Sequence, residues 1–102
     1  MVETVIRKRI EILADNPLVR RVTHAIDKAE ITGWSIIPIV AGSGRDGAWH
    51  EERVVGADKS LIVTIGSAEK AARLTEALLP ILSSHGLLLT QWDVEVIRGD
   101  RF

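Results

Sequence analysis

Residues 34–66 read WSIIPIVAGSGRDGAWHEERVVGADKSLIVTIG. Two runs rich in β-type apolar residues, 34–40 and 60–66, flank a segment of glycines and charges. Gly42, Gly44 and Gly47 could turn backbone N–H groups inward around an anion. A nucleotide-hydrolase phosphate loop, however, needs GxxxxGK[ST] leading into a helix. The glycine spacing is present, but Ala48 and Trp49 stand where Lys and Ser/Thr belong, and extended sequence follows. That class is excluded. A GxG alone serves a hairpin loop equally well, through the positive φ that glycine tolerates. The segment therefore reads as a loop joining two strands, and the flanking sequence decides the fold.

Upstream, residues 5–13 read VIRKRIEIL, with Ile6, Ile10 and Ile12 alternating against Arg7, Arg9 and Glu11. This is a strand with one polar face. Asp15-Asn16-Pro17 supplies a helix start, with Asn16 as N-cap and Pro17 in the first helical position. Leu18, Val22, Ala25 and Ala29 then recur at helical spacing, with Val19 and Ile26 beside them, and Gly33 restarts extended structure. Pro38 forbids a complete hydrogen-bond ladder in 34–40. Downstream, Ser67 caps a second helix whose buried face is Ala71, Leu74, Leu78 and Leu82. Pro80 is expected to kink it and His85-Gly86 to end it. Residues 87–97 form a last strand, Trp92, Val94 and Val96 alternating against Asp93 and Glu95. Strand, helix, strand occurs twice, a weak internal duplication without a linker. The expected class is α+β: a ferredoxin-like βαββαβ domain over residues 1–102, with two helices on one face of a four-stranded antiparallel sheet. Apolar residues at consecutive positions in WSIIPIV, LIVTI and LLLTQW place apolar surface on both faces of that sheet. A homo-oligomer whose sheets face one another is expected.

The chain has 102 residues, 46% of them apolar and 26% charged, enough for one small core. Its formal charge of −1 offers nothing to a polyanion, so nucleic acid is not an expected partner. Cysteine is absent, which excludes disulfides and thiolate metal sites. No apolar run approaches the length of a membrane span, and the N-terminal residues lack a signal-peptide pattern. No membrane insertion is expected, and the cytoplasm is the expected compartment.

Candidate catalytic groups are few. His24, His50 and His85 share no metal-ligand spacing, and Glu51 and Glu52 point to opposite sides of an extended chain. No paired acid and base emerges, so no enzymatic activity is expected. Arginine is more informative. Arg45 and Arg53 bracket the glycine-rich segment, and Arg98 and Arg101 follow the last strand. The planar guanidinium fork suits phosphate and carboxylate. In a βαββαβ order, the loop after the second strand and the end of the fourth can meet across a subunit boundary, which would gather glycine amides and arginines into an anion site.

ITGWSIIPIVAGSGRDGAW together with the closing DVEVIRGDRF resembles the P-II-like signalling proteins, relatives of the nitrogen regulatory P-II proteins that include carboxysome-associated and bicarbonate-transporter-associated members. The resemblance spans nearly the whole chain. It implies a homotrimer binding adenine nucleotide in the clefts between subunits, and a T-loop, here about residues 42–56, that engages a regulated target such as a membrane transporter. By the same resemblance, Gly42, Ser43, Gly44 and Arg45 form the base of the loop near the phosphates. Arg98 and Arg101 reach phosphate from the neighbouring subunit, and Lys59 takes the place of a lysine used with small carboxylate effectors. Gly86 belongs to the short SSHGLL, which replaces the regulators' long triphosphate loop. AMP and ADP are therefore expected to compete well with ATP, with cyclic AMP and bicarbonate as further candidate ligands. The chain lacks tyrosine, so uridylylation of a T-loop tyrosine is excluded. Two other readings remain open at this point: a copper-binding trimer of the same fold using His50, Glu51 and Glu52, and a small ferredoxin-like isomerase or mono-oxygenase.

Overall fold

Among the described residues the six expected elements occur in the expected order, with one added pair of short strands. In the computed structural model, residues 3–44, 47–50 and 58–97 are described, the side chains of 44 and 47–50 excepted. Strand β1 is Thr4–Asp15, helix α1 Val19–Lys28 and β2 Trp34–Pro38. A short pair, β3 at Ala41–Gly44 and β4 at Gly47–His50, precedes β5 at Lys59–Gly66, α2 at Ala68–Leu82 and β6 at Leu88–Ile97. The main sheet is antiparallel in the order β2-β5-β1-β6, and both helices pack on one face of it. This is the ferredoxin-like arrangement that the apolar periods imply.

Side-chain alternation sets the two faces. Ile12 lies opposite Ile62 on one side and Leu89 on the other, and Ile36 opposite Ile62, so these residues share the helix-covered face. Ile10, Ile12 and Ile62 are fully buried there against Val22, Ile26, Leu74 and Leu78. The core is thus one layer between helices and sheet. The face left open carries an aliphatic row, Ile37-Leu61-Leu13-Leu88, across all four strands. Along its centre β1 contributes Arg7, Arg9 and Glu11. Arg9 is ion-paired to Glu11 at 3.3 Å and stacks over Trp92, 5.9 Å from its centroid.

The two helices end and begin by different means. Ser67 caps α2, its hydroxyl accepting from the Lys70 N–H at 3.2 Å. Gly86 sits at φ +66° and Leu87 N–H donates to Leu82 C=O, which closes the helix by the left-handed glycine route. α2 runs through Pro80 to Leu82, where Ser84 Oγ donates to the Pro80 carbonyl. Asn16 is not the N-cap of α1. Residues Asn16–Leu18 form a 3-10 turn ahead of the helix, and the Asn16 side chain accepts from Ser60 Oγ at 2.6 Å. A non-local partner on β5 replaces the local cap.

Candidate functional site

The expected ligand residues fall into two groups. β5 opens at Lys59 opposite Asp15, the last residue of β1, and Gly86 lies two residues before Leu88, which pairs with Leu13. Ile39, just past β2, donates its N–H to the Lys59 carbonyl at 3.1 Å, and β3 begins two residues later. One end of the sheet therefore collects Lys59, Gly86 and the entry to the glycine-rich segment.

Local chemistry holds that end together. Lys59 Nζ meets Asp15 Oδ1 at 2.7 Å, with both side chains partly exposed. Beside it Ser60 Oγ donates to Asn16 Oδ1, and Asn16 N–H donates to the Asp58 carbonyl at 2.9 Å. The end of β1 is thereby tied to the start of β5 by one ion pair and two hydrogen bonds. The Asp15 carboxylate of this pair is about half exposed, so the pair meets solvent at the end of the sheet. Neither Asp15 nor Asn16 was singled out as a site residue from sequence. Both read there as the start of a helix, and no periodic signal betrays a partner more than forty positions away.

The region expected to be a plain loop contains a ladder. Ala41 pairs with His50, Gly42 with Trp49, Ser43 with Ala48 and Gly44 with Gly47. Strands this close in sequence satisfy their backbone groups at small loop cost. Gly42, Ser43 and Gly44 thus lie in β3. Arg45, Arg98 and Arg101 fall outside the described residues, as do Arg53 and residues 51–57 of the expected T-loop. The copper reading's Glu51 and Glu52, and the side chain of its His50, also fall outside them. Among the described residues, no three His, Asp or Glu side chains come together as metal ligands, and no helix is long and apolar enough to cross a membrane.

The last strand runs away from this end. Leu88 pairs with Leu13, whereas Ile97 pairs with Thr4 at the far end of β1. At ~3.3 Å per residue the two ends of β6 are about 30 Å apart.

A family model described as nitrogen regulatory protein P-II matches residues 7–101. Among solved structures, CPII, a nitrogen regulatory PII-like protein from Thiomonas intermedia K12 bound to ADP, AMP and bicarbonate, matches with a TM-score of 0.91 at 20% identity. The match covers 100% of this chain and 98% of that one. A PII-like signaling protein from Thermus thermophilus matches at TM-score 0.80 and 25% identity, over 98% of each chain. The B. subtilis GlnK-ATP complex matches at TM-score 0.63 and 12% identity, over 87% of this chain and 82% of that one. No curated protein sequence matches the chain.

Proposed function

Since this chain belongs to the nitrogen regulatory protein P-II family, we propose that it is a non-enzymatic cytoplasmic regulator, a homotrimer that binds AMP or ADP, with bicarbonate as a further ligand, in clefts between subunits. The observation that carries this reading is the full-length likeness to CPII bound to ADP, AMP and bicarbonate. ATP binding by the more distant GlnK fits the same ligand class. Nucleotide binding would alter the segment around residues 42–56 and with it the affinity for a target protein, such as a transporter. A coupling of about 1–3 kcal/mol suffices for such regulation.

Chain geometry supports a cleft built by two copies. Arg101 stands four residues beyond Ile97, a reach of at most about 14 Å. Backbone reach alone is about half the length of β6, so a single chain does not readily return this arginine to its own Lys59 and Gly86. A neighbouring copy can supply it. Lys59 supplies the cation for a small carboxylate or bicarbonate at the loop end, and Gly42, Ser43, Gly44, Arg45 and Gly86 supply backbone and guanidinium donors to phosphate.

The test is calorimetric titration with AMP, ADP, ATP, cyclic AMP and bicarbonate of the parent and of Arg45→Ala, Arg98→Ala and Arg101→Ala. Arg20→Ala, on the exposed side of α1, serves as control. Each phosphate arginine is expected to contribute about 1.5–3 kcal/mol, a tenfold loss or more, with molecular mass unchanged. A parent that binds none of the nucleotides, or four variants of equal affinity, would overturn the reading.

A further inference from the structure

The outer surface of the two helices carries a groove of about 620 Å³ that takes no part in the site above. Its lining includes Ala25 from α1, Ala29 at the C-cap of α1 and Ala77 from α2, side chains too small to fill the space between the two helices. The rim is basic. Arg21 and Lys28 stand on α1 seven residues apart, two turns or about 10.5 Å. Both are exposed, and neither has an ion pair among the described residues. Arg73, on the α2 side, is already engaged by Glu30 at 3.2 Å and by Glu69 at 3.6 Å. Glu76 is the single acid in the lining among the described residues. An apolar trough thus lies beside two uncompensated cations.

Size decides what it fits. A volume of about 620 Å³ lies within the range of roughly 300–1,000 Å³ typical of small-molecule pockets. A lining only about two helical turns long falls short of the ~800 Å² per partner of a stable protein interface. We infer that the groove between α1 and α2 is a second ligand site, which takes a small organic anion with an apolar body and one acidic group. The apolar body lies on Ala25, Ala29 and Ala77, and the anion is read by Arg21 and Lys28. The site lies on the face of the sheet opposite the open one, so it stays accessible in an oligomer assembled through the open face, and it is independent of the nucleotide cleft.

The test uses two fluorescent probes that share an aromatic body: 1-anilino-8-naphthalenesulfonate, which carries one sulfonate, and the uncharged N-phenyl-1-naphthylamine. The full chain is labelled at its alanine methyls. The anionic probe should shift the methyl signals of Ala25, Ala29 and Ala77, and bind at least tenfold more tightly than the neutral one. The double variant Arg21→Glu, Lys28→Glu should lose at least tenfold of that affinity, whereas Arg20→Glu should change it less than twofold. Ala77→Leu, which fills the trough without touching charge, should weaken both probes. Unmoved alanine methyls, or equal binding to the double variant and the parent, overturn the site. AMP and ADP titrations of the same variants report separately on the nucleotide reading.

Discussion

Glu30 ends α1 in a conformation that L-residues avoid, at φ 64°. Its N–H donates to Asp27 C=O and that of Ile31 to Ile26 C=O, the paired closing bonds of a left-handed helix end. A side chain there costs about 1–2 kcal/mol, and the exposed ion pair with Arg73 returns about 1 or less. Glu30→Gly should therefore leave stability unchanged or raise it by up to about 1 kcal/mol in urea unfolding, while Glu30→Ala, which keeps the strain and loses the pair, should lower it slightly. A clear loss in the glycine variant would mean that the Arg73 pair outweighs the strain. Thr75 offers a second case. Its Oγ1 is buried without a hydrogen-bond partner among the described residues. Valine has nearly the same shape and comparable helix propensity, so Thr75→Val should stabilise by about 1 kcal/mol in the same assay. Destabilisation would reveal a partner for the hydroxyl in the assembled protein.

The elements differ in how openly the sequence announces them. The alternation of Ile10 and Ile12 against Arg9 and Glu11, and the helical recurrence of Ala71, Leu74 and Leu78, are local patterns, and each lies on the predicted face. Ser67 and Gly86 were legible for the same reason, since a cap and a left-handed turn are decided within a few residues. Ser67→Ala should cost about 1 kcal/mol of stability and Ser67→Asp little, because an aspartate can still accept from the Lys70 N–H. Equal losses in the two would assign the role of Ser67 to packing. Asn16 was misread because Asn serves a local cap and a distant partner alike, and Ser60 is beyond the reach of any periodicity. The β3-β4 ladder was hidden by its composition, as glycine and charge describe a loop and a short hairpin equally. In the candidate site, Lys59 and Gly86 were singled out through the family resemblance rather than by a local pattern of their own. Their approach to Asp15 and Asn16 depends on sheet order, which no single segment encodes.

At the scale of the whole molecule, exposed apolar side chains occur on both sides of the sheet. Ile37, Leu88 and Trp92 are exposed on the open face, and Ile6, Ile36 and Ile97 on the other, beyond the cover of the helices. Under the proposed trimer, closure of the open face by other copies would cover the first set, with Arg9 paired to Glu11 and stacked on Trp92. Light scattering should give three times the mass of the chain, and Leu88→Glu should dissociate it with the helical signal retained, since Leu88 is 58% exposed in the single chain. A stable parental monomer would remove the inter-subunit cleft. The strand order β2-β5-β1-β6 also governs how the chain reaches this state. In the main sheet β2 and β5 are successive strands that lie side by side, but β1 is separated from β2 by β5 and β5 from β6 by β1, and Thr4 must find Ile97 across nearly the whole chain. The two βαβ halves interlock rather than fold in turn. A nascent chain that has emerged only through β2 holds two strands that cannot pair natively, so folding waits for β5 and proceeds on the millisecond-to-second scale of topologies dominated by non-local contacts. A fragment of residues 1–57 should accordingly lack native amide protection and gain it on mixing with residues 58–102. Native-like protection in the first fragment alone would show that the order of synthesis, not the interlocked sheet, directs folding.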